Sequence, residues 1–322
     1  MLKDHYRIGI VKYMDHASLN RIEKGIREGL DELGAKHGVK MDYEGLVFDG
    51  KADTELMKEI GARLAKEKVD LVVSIATPPT VAMKKVLEEN RVKMLFRAVS
   101  DPISSKVVDS FERPGEYITG TSDLLDGREL CDVMLKLMPD IRKAGLLYNR
   151  SEFSSMMPIK DAKEYLTEKG IEYVEETPAS GNEVADAARR LIEKGVQAVI
   201  TPTDNTIMGE ELEISPIFTR AGVPQFTGSH AFTINGAFMG LGSSYRDSDV
   251  RFISLAEDLL IKEKSTMDMP VVKDKHSFAA INNQVCESLG YDKEGIKERI
   301  SELGKLTLFL DTNEEFDENS DY

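Results

Sequence analysis

Asp15, His16 and Ser18 are the side-chain types of a hydrolytic triad, but they fall within four residues of one loop. Triads gather from separate elements, with the serine on a strained turn, so this spacing argues against nucleophilic catalysis. No GxSxG, HExxH, Walker or GxGxxG pattern occurs in the chain, and the reading is that it is not an enzyme. What the sequence does offer is polar residues where helical patterns begin. Ser18, Thr77, Ser154 and Asp204 each open such a pattern. A helix N-terminus presents unpaired N–H groups and a partial positive charge, a natural seat for a carboxylate. Thr77 with the N–H of Thr80 is the first choice, helped by the hydroxyl of Ser154 or Ser155. Asp204 and Asp101 are the carboxylates best placed to accept from a cation. An ordinary N-cap at Asp204, or an Asp-Pro turn at Asp101, would read the same way. Cys131 and Cys286 lie in helical patterns without CxxC spacing, so they read as buried thiols, and no metal or cofactor is expected.

The elements that must position these groups repeat. The run 71–76 (LVVSIA) is a continuous apolar stretch, the mark of a buried parallel strand, and Thr77-Pro78-Pro79 starts a helix with prolines in its first turn. The run 93–99 is a second apolar strand, ending at Ser100-Asp101-Pro102. This βαβ unit brings Thr77 and Asp101 to one sheet edge, the carboxyl edge where open α/β sheets bind ligands. A similar unit spans 198–229, where an apolar strand runs into Thr-Pro and a later short strand ends at Ser229. Two such units predict two similar α/β lobes with the site in the gap between them.

Length and composition narrow the classes. A chain of 322 residues suits two domains. With 41% hydrophobic and 31% charged residues it reads as globular, and no apolar run approaches the roughly 20 residues of a membrane span. The net charge of −15 argues against nucleic acid, which needs a basic face. The last twelve residues carry six acidic side chains and read as a disordered tail.

Taken in order, strand–helix alternation predicts doubly wound parallel sheets. Expected strands include 7–13 and 41–48, and a helix capped by Ser18 runs through residue 36. The first lobe is expected to hold 1–119 and 244–268, the second 120–243 and 269–300, with 301–322 as tail. Segments 117–123, 237–243 and 269–272 are read as three crossovers forming a hinge. A loop covers 149–155, a helix 159–169, and 279–289 is read as helical.

Eight segments in this order carry a resemblance: KYMDHASLN (12–20), SIATPPTVA (74–82), FRAVSDPISSKVV (96–108), ITGTSD (118–123), GLLYNRSEFSS (145–155), ITPTDN (200–205), NGAFMGLGSSY (235–245) and INNQVCESLGY (281–291). Together they resemble the ABC-transporter substrate-binding proteins of the aromatic amino acid type, which have a type I periplasmic-binding-protein fold of two Rossmann-like lobes joined by a three-strand hinge. Asn20 stands where the family often carries an acid. The resemblance implies an extracytoplasmic protein, lipid-anchored or periplasmic, although no signal or lipidated cysteine stands in this chain. It also implies a small-molecule ligand, an ABC permease and its ATPase as partners, no nucleic acid, and a monomer. For an amino acid, Asp204 and then Asp101 would take the ammonium, with Asn149 and Asn205 bridging. The ring would lie against Phe153, Tyr245, Tyr13 or Phe232, since there is no tryptophan. His16 would donate to a ligand hydroxyl or carboxylate. The other reading is a ligand-sensing domain of a regulator or receptor, with the same fold and a different small molecule.

Overall fold

A computed structural model describes residues 3–15 and 17–313. The chain divides into two compact units. The first takes the chain through Leu124 and again from Ser244 to Asp274; the second takes Leu125–Ser243 and resumes at Lys275.

Unit 1 opens with β1 (His5–Lys12), α1 (Ala17–His37), β2 (Lys40–Asp42), β3 (Val47–Asp49) and α2 (Thr54–Lys66). It continues with β4 (Leu71–Ile75), α3 (Thr77–Glu89), β5 (Lys93–Arg97) and β6 (Ile118–Ser122). Unit 2 contributes α4 (Gly127–Leu137), β7 (Lys143–Leu147), α5 (Phe153–Glu168), β8 (Glu172–Glu176), α6 (Val184–Glu193), β9 (Ala198–Thr201), α7 (Asn205–Met208) and α8 (Glu211–Arg220). It goes on through β10 (Gln225–Thr227), α9 (His230–Ile234) and β11 (Met239–Gly242). Unit 1 then regains α10 (Tyr245–Leu260) and β12 (Val272–Lys273). Unit 2 closes with β13 (Phe278–Asn282), α11 (Asn283–Ser288), α12 (Lys293–Ser301) and β14 (Leu306–Leu310).

In unit 1 the strand order is β12-β6-β5-β4-β1-β2, with β3 also on β1, and every pairing is parallel. All five residues of β4 are buried, as a strand covered on both faces requires. Leu71, Val73 and Ile75 join Ile8, Ile10 and Phe252 in the core under α1 and α10. Val72 instead joins Met83 and Leu87 of α3 on the opposite face. Unit 2 orders its strands β14-β13-β11-β10-β9-β7-β8, parallel except where β11 meets β13. One face packs against α4, α5 and α12 through Met134, Ile159 and Ile300, and the other against α6 and α8 through Leu191 and Phe218. Cys131 and Cys286 are free thiols buried in the first of these cores.

Several boundaries differ from the sequence reading. The expected strand 41–48 is two short strands, β2 and β3, because Gly45 takes φ 70 in the turn between them. Segment 117–123 is not a free crossover: β6 pairs with β5, and β12 in turn pairs with β6. Residues 120–124 and 269–274 therefore belong to unit 1. The loop expected at 149–155 ends early, since α5 begins at Phe153 and runs through Pro158. The helix expected over 279–289 is a strand, β13, followed by the short α11. All five residues of β13 are buried, so its FAAIN run shows neither helical nor strand periodicity. The expected tail from 301 is instead structured over its first part, where β14 adds to β13, and residues 314–322 lie outside the described residues. The entry to β14 is held by Lys305, which pairs with Glu129 and donates to the His276 carbonyl at 2.6 Å.

Two consequences can be measured. A Cβ on Gly127, at the start of α4, would lie 1.9 Å from the Pro158 carbonyl oxygen. Gly127→Ala should therefore destabilise by about 1–3 kcal/mol. Thermal unfolding followed by circular dichroism should show a fall of roughly 2–4 °C per kcal/mol, and an unchanged Tm would mean that α4 and α5 can separate freely. Glu211, the first residue of α8, is fully buried; Gln225 Nε2 donates to its Oε2 at 3.1 Å, while Oε1 has no partner. Burial pushes its pKa well above the ordinary glutamate value. The fold then keeps a proton that the unfolded chain gives up, so stability falls as pH rises from the ordinary value through the raised one. Glu211→Gln should flatten this decline in a Tm series from about pH 4 to pH 8, and an identical pH profile in the variant would assign the decline to other groups.

Candidate functional site

Because the strands of unit 1 run parallel, the residues that follow them share one edge. Two alanines there hold left-sided backbones: Ala76 at φ 83 after β4, and Ala98 at φ 55 after β5. The Ala76 conformation, with ψ 164, is one that essentially only glycine adopts without strain, at about 1–3 kcal/mol. Local bonds hold it. Ala76 N donates to the Arg97 carbonyl at 2.9 Å, and the Ala76 carbonyl accepts the Thr80 hydroxyl at 2.8 Å. The Thr80 hydroxyl also meets Ser74 Oγ at 2.8 Å.

This geometry revises the first sequence choice. Ala76, not Thr77, is the N-cap of α3, and no side chain caps the helix. The N-cap carbonyl accepts the first helical bond, which directs Thr80 N–H inward, and the Thr80 side chain is fully buried. Pro78 and Pro79 have no N–H, so Thr77 supplies the one backbone donor of that first turn. Asp101 is 3% exposed; its Oδ1 accepts Ser104 N at 2.9 Å, while Oδ2 has no partner. Tyr13 follows β1, half-buried. Tyr245 opens α10 with the Arg21 guanidinium 5.6 Å from its ring centre, and burial pushes its phenol up to about 12. Ser18 is the second residue of α1 rather than its cap. His16 lies outside the described residues.

The same edge carries a buried charge network that sequence reasoning passed over. Arg97, the last residue of β5, is 3% exposed. Its Nη1 donates to Asp274 at 3.0 Å, and Nη2 stands 3.7 Å from Asp249 of α10. Arg251 also reaches Asp274, at 3.1 Å, and Arg21 of α1 reaches Asp249, at 3.1 Å. The signal was available: KMLFR ends a buried strand with a cation, which needs partners wherever it lies.

In unit 2, β7, β9 and β10 are parallel and deliver Asn149, Asp204 and Ser229 to a common edge. Asp204 is fully buried and ties three segments together. Its Oδ2 accepts Asn149 N at 2.7 Å and the Ser155 hydroxyl at 2.6 Å, and its Oδ1 accepts Ile207 N at 3.0 Å as the N-cap of α7. Burial raises its pKa, opposed by these bonds. Both oxygens of the expected ammonium acceptor thus already accept within unit 2, where the carboxylate clamps three segments together. Asn149 Nδ2 donates to Thr206 Oγ1 at 2.9 Å. Glu152, missed by the sequence reading, caps α5 through its backbone and accepts from Asn205 Nδ2 at 3.1 Å and Thr206 Oγ1 at 3.2 Å. Burial, and then the charge of Asp204, raise its pKa. Ser154 Oγ is buried without a partner, whereas Phe153 beside it is 55% exposed. Ser229 caps α9, accepting Ala231 N at 3.3 Å, and Phe232 is plain core.

If Asp204 is the clamp, Asp204→Asn must set an amide N–H against one of its three donors. A Tm loss equivalent to about 1–3 kcal/mol should follow, with faster hydrogen exchange over 149–155. An unchanged Tm would return the carboxylate to the pool of ligand contacts.

Comparison with known proteins gives this geometry a family. The model for ABC transporter substrate binding proteins matches residues 7–303. A curated relative, the tyrosine-binding protein of Clostridioides difficile, is 27% identical over 293 residues, covering 90% of this chain and 83% of that protein. A structure from Streptococcus pneumoniae in complex with L-Trp superposes with a TM-score of 0.78 at 25% identity, covering 91% of this chain and 98% of the other. The ligand-free, open structure of a substrate binding protein with adhesive properties from Clostridium difficile also gives 0.78, at 24% identity over 96% of this chain and 100% of that one. Its neighbours have the type I periplasmic-binding-protein fold, and the family works outside the cytoplasm, with no described helix here long and apolar enough to cross a membrane. The match runs through both units, and the chain belongs to the ABC transporter substrate binding protein family.

Proposed function

We propose that this protein binds an aromatic α-amino acid, without changing it chemically, for an ABC importer. The observation that carries the reading is a pair of opposite polar functions on the carboxyl edge of unit 1. Thr77 N–H is an open donor, and Asp101 Oδ2 is a buried acceptor without a partner. A zwitterion needs one of each, and a charged hydrogen bond contributes roughly 1.5–3 kcal/mol. Asp101 is therefore favoured over Asp204 for the ammonium. Thr77, with Ser154 and Ser155 as the expected helpers, is assigned to the carboxylate. Ser155 already donates to Asp204, which makes Ser154 the better of the two.

The ring is assigned to Phe153, whose exposed face has no packing duty in the described structure, with Tyr245 or Tyr13 as further wall. The named ligands of two relatives, tyrosine and L-Trp, support an aromatic class. As part of the same proposal, the protein acts as a monomer, lipid-anchored or periplasmic, changes the arrangement of its units on binding, and hands its ligand to a permease and ATPase.

A thermal-shift screen of the twenty amino acids, with representative sugars and nucleosides, tests this. A ligand that binds only the folded state, present at 100 times its Kd, should add about 2.7 kcal/mol of stability. Tyrosine, tryptophan or phenylalanine should raise the Tm, while aliphatic and acidic amino acids should not. Shifts confined to aliphatic amino acids, sugars or nucleosides would overturn the assignment of the ring and its neighbours.

A further inference from the structure

Arg97 has donors left over. Asp274 takes Nη1, but Nε is buried without an acceptor, and the Nη2–Asp249 distance of 3.7 Å is beyond a hydrogen bond. Nε and Nη2 form the side of the guanidinium that grips a carboxylate with two parallel bonds. That side makes no hydrogen bond within the protein, and the nearest acid to it, Asp249 Oδ1 at 3.7 Å from Nη2, is itself without a hydrogen-bond partner. Among the described residues, Arg21, Arg97 and Arg251 are ion-paired with the two carboxylates Asp249 and Asp274. Asp123, after β6, is the other acid here. Burial and the charge of Asp274 raise its pKa, and the charge of Arg97 lowers it. The network also leaves Arg251 Nε and Asp123 Oδ1 without partners, so donors and acceptors are not matched within the protein alone.

A buried donor without an acceptor is expected where a ligand completes the set. Position agrees. Arg97 ends β5, the strand that leads to Asp101, and its carbonyl holds Ala76 N at the start of α3. We infer that Arg97 is a ligand-recognition residue whose Nε–Nη2 edge receives the carboxylate of the ligand. Asp274 and Asp249 act as positioning residues that orient the guanidinium without filling that edge. A carboxylate has two oxygens with about four acceptor positions, so the fork leaves room for a backbone donor such as Thr77. The inference rests on the proposed function only in taking the ligand to carry a carboxylate.

The test compares L-tyrosine with tyramine, which has the same ring and amine but no carboxylate, by calorimetric titration of wild type, Arg97→Lys and Arg97→Gln. Lysine keeps the charge beside Asp274 and Asp249 but has no fork, so this variant guards against simple loss of fold. L-tyrosine should weaken at least about tenfold in both variants, which is about 1.4 kcal/mol, while the response to tyramine stays as in wild type. L-tyrosine binding within about twofold of wild type in Arg97→Lys overturns the inference, since the fork alone was removed. Equal weakening of both compounds, with a fallen Tm, also overturns it by making Arg97 structural. If wild type binds 4-hydroxyphenylacetate and no amino acid, the proposed function fails. The same comparison, run against 4-ethylphenol, then decides Arg97 separately. Wild-type binding restricted to compounds without a carboxylate refutes both.

Discussion

The ion pair between Arg97 and Asp274 lies at the strand ends of unit 1. Both side chains are almost fully buried, and neither could remain charged there alone, because an unpaired buried ion costs several kcal/mol. Pairing ties the end of β5 to the residue that follows β12. Asp249 and Arg251 extend the tie to α10, and Arg21 extends it to α1. Four segments distant in sequence are thus held in register by charge at the edge of a sheet whose interior is held by aliphatic packing. The two kinds of cohesion differ in consequence. Aliphatic packing tolerates small shifts, whereas a buried network with unmatched donors favures one arrangement and one kind of partner.

Unit 2 solves the same problem with a single carboxylate. Asp204 gathers the loop after β7, the first turn of α5 and the start of α7 by accepting from each. A carboxylate with three donors from three segments sets the positions of Asn149, Ser155 and Ile207 relative to one another. It thereby shapes the surface on which Ser154 and Phe153 stand.

Unit 1 also holds backbone strain at the end of β4. Ala76 keeps a backbone conformation unfavourable for any residue with a Cβ, and three local bonds through Arg97, Thr80 and Ser74 hold it. The effect is to turn the chain sharply from β4 into an uncapped helix whose first turn, with its two prolines, keeps Thr77 as the open donor. Such strain persists where surrounding structure over-determines it, and it clusters at sites of function.

Much of this was legible in the chain. Apolar runs followed by Thr-Pro or Ser-Asp-Pro marked strand ends, and the eight ordered segments marked the family and its fold. Asp101, Thr77 and Asn149 were legible from their places after strands, and Ser155 from its place at a helix start, because both positions are local information. The β13 segment was misread because a strand buried on both faces has no periodicity to show, and β14 because its partner is contributed by the fold. The sequence by itself determined which residues would stand at the carboxyl edges. Only the tertiary structure decided which of them have hydrogen-bonding capacity left. Asp204 is spent on three donors and Thr80 on two oxygens, while Arg97 Nε and Asp101 Oδ2 remain unpartnered. That distinction depends on contacts between segments far apart in the chain, and no local pattern encodes it.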